Sequence, residues 1–348
     1  MVRRRQNAPA IAAPAPTKDL RMTIHRRRFC HLPLALLPAA LACPVALAQA
    51  GYPSRPVRVI VGYSPGGAVD IIARAVAQQL QAGLGQTVIV ENKPGAGTNI
   101  AMRALIDSPA DGHTLMLVAN AAAANPSLYQ PPPFDITRDL TPISLVGRVP
   151  VVIATGAGGD LRSIAGLVAR SKAQPGSINF GTPGNGSTPH LAVELFERAA
   201  GIQLTHVPYK GGSQAITDTL AGHIQLVAVN ALEVLPHVKA GKLRVLAVLS
   251  PARSGVLPEV PSITESGYPG FEASVWYGFV GPAGMPQAVV ARLHAAVQKA
   301  LAAPEVRDRL AGAGGEVLPG PTERFAALLA SEKARYEKLI RDARIQPD

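Results

Sequence analysis

From Val57 onward, short β-branched runs alternate with longer stretches whose apolar residues recur at helical spacing. That alternation restricts the chain to an α/β architecture with a largely parallel sheet. Strands are expected over residues 57–61, 87–91 and 114–119, with helices over 68–81 and 98–107. A second series begins near Val151, with strands over 178–181, 205–207, 224–229 and 244–249. Its helices begin near Ser163, Thr188, Ser213 and Leu232. A strand over 275–280 and helices over 287–302, 304–311 and 321–342 complete the chain, with no further sheet expected after them. At 348 residues the chain exceeds what one core usually organises. The pattern therefore predicts two α/β lobes, lobe 1 from residues 51–148 and 274–348 and lobe 2 from 149–273. The connections over 147–153 and 272–280 would form a two-strand hinge. Periodicity alone leaves a single-sheet α/β enzyme open as an alternative.

Residues 1–50 read as a targeting segment. Arg26, Arg27, Arg28 and Phe29 precede an apolar stretch over 32–47, with small residues at Ala46 and Ala48. Three prolines interrupt that stretch, which is shorter than the ~20 residues a spanning helix needs, so cleavage after Ala48 or Ala50 and a periplasmic location are expected. Arg26 to Phe29 fits a twin-arginine signal as well as an ordinary basic n-region, and Met22 offers a second start. Leu41-Ala42-Cys43 partly resembles a lipobox. Residues 1–50 hold eight Lys or Arg and one acid, which leaves 26 basic and 22 acidic residues in the remainder. A balance of +4 gives no support to nucleic-acid binding. Both cysteines, Cys30 and Cys43, lie in the same segment, so the mature chain would have no disulfide, thiol nucleophile or thiolate metal site.

Two glycine-rich stretches sit between an expected strand and an expected helix. In Tyr63-Ser64-Pro65-Gly66-Gly67-Ala68-Val69-Asp70, the glycines let backbone approach a ligand and the helix start presents free N–H groups to an anion. The alternative is a plain turn, with Asp70 serving the helix dipole. The second stretch, Gly181-Thr182-Pro183-Gly184-Asn185-Gly186-Ser187-Thr188-Pro189-His190, repeats the device. Hydroxyls of Thr182, Ser187 and Thr188 could hold a carboxylate there, or Ser187 and Thr188 could serve only as a helix cap, with His190 on the helix surface. Gly95-Ala96-Gly97 matches only part of a dinucleotide fingerprint. No cofactor or metal site is expected, and no nucleophile, base and orienting acid stand at a recognisable spacing.

The run Pro56-Val57-Arg58-Val59-Ile60-Val61 into Tyr63-Ser64-Pro65-Gly66-Gly67, then Glu91-Asn92-Lys93-Pro94-Gly95, Asp111-Gly112-His113-Thr114, Asn125-Pro126-Ser127, and His206-Val207-Pro208-Tyr209-Lys210-Gly211 resemble the substrate-binding receptors of tripartite tricarboxylate transporters, the Bug family. The blocks continue through Pro282-Ala283-Gly284, so the resemblance covers the chain from Pro56 onward. It implies a type II periplasmic-binding fold that holds a small organic carboxylate between its lobes and performs no chemistry on it. Tyr63, Gly66, Gly67 and Ala68 would face the ligand from lobe 1. Thr182, Ser187 and Thr188 would face it from lobe 2, with Tyr209 and Lys210 near the cleft and Asn120 on a wall poor in hydroxyls. The expected partners are permease subunits of a tripartite transporter, and the receptor itself is expected to be a monomer. Reporting ligand occupancy to a sensor kinase, and an exported α/β enzyme acting on an anion, are the alternatives. Many relatives carry an acid where this chain has Val229. Without it a ligand ammonium has no partner other than Asp70, so succinate is expected to bind about tenfold better than aspartate.

Overall fold

Ten strands and ten α-helices, with one 3-10 turn at Ala96–Thr98, run along residues 51–347, the part of the chain described by the structure, which is a computed structural model. The segment carrying the targeting, lipidation and start-site expectations, residues 1–50, lies outside the described residues. The first half contains β1 (Val57–Val61), α1 (Ala68–Leu84), β2 (Val88–Asn92), α2 (Asn99–Ile106), β3 (Thr114–Ala119), α3 (Ala121–Leu128) and β4 (Leu140–Gly156). There follow α4 (Ile164–Ala173), β5 (Asn179–Thr182), α5 (Thr188–Ala200), β6 (Thr205–Pro208), α6 (Gly212–Ala221), β7 (Leu226–Asn230), α7 (Ala231–Lys239) and β8 (Leu243–Val248). The chain closes with β9 (Ser274–Pro282), α8 (Gln287–Ala302), α9 (Pro304–Ala311), β10 (Glu316–Val317) and α10 (Thr322–Ala343).

The strands run in the order β2-β1-β3-β9-β4-β7-β5-β6, with β8 and β10 also paired to β4. β1 pairs in parallel with β2 and β3, and β5 pairs in parallel with β6 and β7. Between these two parallel groups stands β4. Residues up to Pro150 pair antiparallel with β9, and from Val151 the same strand pairs antiparallel with β7 and β8. β4 thus belongs to two sheets.

Both faces of the first sheet are buried, as a parallel sheet requires. Val57, Val59, Val61, Leu115 and Leu117 pack on the side of α1 and α8. Ile60, Met116 and Val118 pack on the side of α2, α3 and α10. Period-two alternation of apolar residues against two different helical layers explains why these strands read as continuous apolar runs. α10 reaches the sheet closely at one point: a side chain at Gly278 would meet the Phe325 ring at 2.2 Å, so only glycine fits there.

Two expectations need correction. β4 begins at Leu140 rather than near Val151, although Pro142 and Pro150 argue against a strand. Register shifts between Pro142 and Ser144 and between Leu145 and Gly147 accommodate the irregularity. The run Ala121–Leu128 is a helix despite Pro126, so only Ala119 and Asn120 of the expected wall precede it. A two-residue strand, β10, lies between α9 and α10, where Glu316 and Val317 pair with Arg148 and Gly147, and among the described residues no strand follows α10.

Candidate functional site

The two glycine-rich loops meet. A cavity of about 30 Å3 lies between them, lined by Tyr63, Gly67, Ala68 and Val69 from one and by Pro183, Ser187, Thr188 and Pro189 from the other. Ala119, Val275, Gly212, Asn230 and Glu233 complete its wall. Each loop lies at the carboxyl end of a strand and at the start of a helix, where a βα unit presents its ligand-facing backbone. α1 and α5 therefore both point their positive ends at this space.

Ser187 is the N-cap of α5. It is buried, and its hydroxyl accepts from the His190 N–H at 3.4 Å. Thr188 Oγ1 makes no well-formed hydrogen bond and lies beside the Tyr336 hydroxyl. Thr182 is engaged within its own loop: its hydroxyl contacts His206 Nε2 at 2.7 Å and accepts from the Gly184 N–H at 3.1 Å. His190 is a buried residue, stacked on His206 with ring centroids 4.3 Å apart, while His206 stacks in turn on Phe180. Burial, helped by the neighbouring His206, lowers its pKa to about 3. His190 is thus a neutral acceptor, which takes the Gly186 N–H on Nδ1 at 3.3 Å and shapes the loop.

Other candidates stand elsewhere. Asp70 braces the first loop from behind: it accepts from Gly66 N–H at 3.0 Å, from Arg74 Nε at 3.0 Å and from Asn92 Nδ2 at 2.9 Å. Burial pushes its carboxyl up, but Arg74, the Gly66 amide and Asn92 together outweigh this and hold it below the usual range. It is therefore spoken for and cannot serve as a free partner for a ligand ammonium. Gly66 is exposed, with its amide committed to Asp70. Tyr209 donates its hydroxyl to Asp218 at 2.6 Å, and burial together with that carboxylate raises its pKa to about 12. Lys210 is exposed, and only its backbone reaches the other loop, where its carbonyl accepts from Ser64. Val229 is part of the apolar core and does not line the cavity.

Asn120 braces the start of β9, accepting from the Trp276 N–H at 3.0 Å and donating to the Tyr336 hydroxyl at 3.1 Å. It lines a second, larger groove of about 900 Å3 that runs between α5 and α10. Two of the acids there are already paired with cations, Glu316 with Arg148 and Glu332 with Arg335. Thr188 lies where the two spaces adjoin. The smaller cavity is the better candidate because both glycine loops and two helix starts converge on it.

The expectation that this cleft lacks an acid is corrected by Glu233, four residues beyond Val229, which lines the cavity and is 7% exposed. Burial pushes its carboxyl up to about 7, while the Asn230 and Ala68 N–H groups that face it pull the other way. Asn230-Ala231-Leu232-Glu233 has the spacing of a helix capping box, a signal present in the sequence and overlooked. Tyr277, also missed, is fully buried with its hydroxyl near Asn230, Glu233 and Tyr63. Nothing in an apolar strand marks one tyrosine as polar-facing. Burial raises the pKa of both Tyr63 and Tyr277, so both stay protonated as donors. Among the described residues no cluster of His, Cys, Asp or Glu could hold a metal ion.

Comparison with known proteins agrees with this geometry. Residues 72–345 match the tripartite tricarboxylate transporter family receptor. The solved structure of the periplasmic binding protein BugD is 32% identical, with a TM-score of 0.82, over 85% of this chain and 100% of BugD. A Rhodopseudomonas palustris protein with adipate is 31% identical, TM-score 0.81, over 85% of this chain and 100% of that one. MatC from the same organism, with bound malate, is 28% identical, TM-score 0.79, over 83% and 100%. The architecture is that of a periplasmic binding protein.

Proposed function

The chain belongs to the tripartite tricarboxylate transporter receptor family, and from this we propose that it captures a small organic carboxylate between two lobes and delivers it to a separate membrane permease. The observation that carries the reading is the convergence of two glycine-rich loops and the N-termini of α1 and α5 on one cavity. Such starts bind carboxylates through N–H groups and the helix dipole, without a charged side chain. Lobe 1 comprises residues 51–148 and 274–348 and lobe 2 residues 149–273, joined through β4 and β9. A cavity of about 30 Å3 has room for about one water molecule, so ligand entry requires the lobes to part. Relatives seen with adipate and malate support a carboxylate as the ligand class. The receptor works in the periplasm as a monomer after loss of residues 1–50, and it leaves its ligand chemically unchanged. No helix among the described residues is long and apolar enough to cross a membrane, which fits a separate permease for uptake.

The test is mass spectrometry of small molecules released on denaturing protein purified without added ligand, followed by incubation with the acids found. An organic acid that is recovered unchanged is the expected result. Release of a ligand with no carboxylate, or turnover of the acid, would overturn the reading.

A further inference from the structure

Glu233 stands in the cavity as an acid without a cation. None of the residues lining the space is Lys, Arg or His, and Asp70 holds Arg74 on the far side of the first loop. The Glu233 carboxylate is fixed in place. A side chain at Gly212 would stand 2.1 Å from Oε2, so the absence of one lets the carboxylate lie directly on the start of α6. Oε2 makes no well-formed hydrogen bond, and neither does Asn230 Oδ1; these residues are 7% and 4% exposed. Buried acceptors left unpaired are costly, so a bound ligand that satisfies them is favoured over one that does not. A bare dicarboxylate brings only acceptors, and it sets like charge beside Glu233.

We infer that Glu233 sets the ligand preference of this cleft by accepting a hydrogen bond from a hydroxyl or ammonium group on the ligand's carbon chain. A donor-bearing organic acid is thereby chosen over the bare acid of equal length. The inference rests on the carboxylate-receptor reading above. Tyr63 and Tyr277 are the titratable groups that face Glu233, and both are held protonated by burial. Glu233 itself, raised to about 7, behaves as a carboxylate short of strong donors.

Calorimetric titration at about pH 8, where Glu233 is ionised, tests this with matched sets: succinate, malate and aspartate, then glutarate, 2-hydroxyglutarate and glutamate. At least one donor-bearing acid is expected to bind about tenfold or more tightly than the bare acid of its set. Glu233→Met, which has no acceptor oxygen, is expected to bring that ratio below about twofold. If Glu233→Met does not fold, Glu233→Gln decides through the ammonium ligands, because it keeps the shape and loses the charge. Its ammonium-to-bare ratio is expected to fall about fivefold or more. Equal binding of bare and donor-bearing acids by the native protein, or a ratio that survives the substitutions, overturns the inference alone. Binding of no acid in either set overturns the carboxylate-receptor reading beneath it.

Discussion

His190 shows how one buried residue couples the loop to pH. With its pKa lowered to about 3, it stays neutral in the folded chain through the range in which the unfolded chain, near 6.5, gains a proton. The unfolded form then binds more protons, so this residue destabilises the fold as pH falls from about 6.5 towards 3, by up to about 1.4 kcal/mol per pH unit. Glu233 and Glu197, both raised to about 7, act with the opposite sign. Each costs stability at neutral pH, and the cost disappears as pH falls below about 4.5, where the unfolded carboxyl is protonated as well. The effect of His190 is therefore best read by difference. In His190→Phe, urea unfolding between about pH 6 and 4 is expected to lose a component of about one proton from the slope of stability against pH. An unchanged slope would mean that His190 is charged inside the fold.

At the scale of elements, the start of α5 has two duties. Ser187 caps the helix, and the same loop lines the cavity. Ser187→Ala is expected to cost about 1 kcal/mol in denaturant unfolding, the usual value of one cap. Together with Thr188→Ala it is expected to weaken binding of the organic acid about tenfold or more, measured by calorimetry. A loss of stability with unchanged affinity would leave the loop a structural cap alone. Strand and helix positions here were largely legible: 57–61, 114–119, 287–302 and 304–311 coincide with β1, β3, α8 and α9. Their periodicity reflects burial between layers, and burial patterns are local. β4 was not legible in full, because Pro142 stands beside a register shift made against β9, a partner more than a hundred residues away, and Pro150 stands where the strand leaves β9 for β7 and β8.

At the scale of the molecule, the first glycine-rich loop also touches the β6–α6 connection outside the cavity. The Ser64 N–H donates to the Lys210 carbonyl at 2.9 Å, and the Ser213 hydroxyl donates to the Pro65 carbonyl at 3.0 Å. These bonds clasp the β1–α1 connection to the start of α6 and hold the cleft narrow. A Cβ at Gly211 would lie 3.1 Å from that of Ser64, a few tenths of an ångström inside the ~3.5–4.5 Å span of disulfides. Gly211 is extended at φ 171°, so cysteine fits its backbone. In a chain with Cys30 and Cys43 replaced by Ala, oxidised Ser64→Cys/Gly211→Cys is expected to lose organic-acid binding by about tenfold or more and to regain it on reduction. Full affinity in the oxidised protein would show that the ligand enters without separation of the loops.

The amino-acid sequence by itself determined the alternation of strands and helices, the two glycine-rich loops after strands and the family resemblance. All of these depend on local chain chemistry or on motifs a few residues long. Tertiary structure alone decided which polar groups face the cavity. Asp70, adjacent to the first loop in sequence, turns away to Arg74 and Asn92. Glu233, distant from that loop in sequence, lies against its Ala68 N–H. The direction of a side chain at a βα junction depends on what packs across the cleft, and the opposite wall comes from another part of the chain. For that reason the acid of the cleft was looked for at Val229, in a strand buried on both faces, and found one helical turn further on.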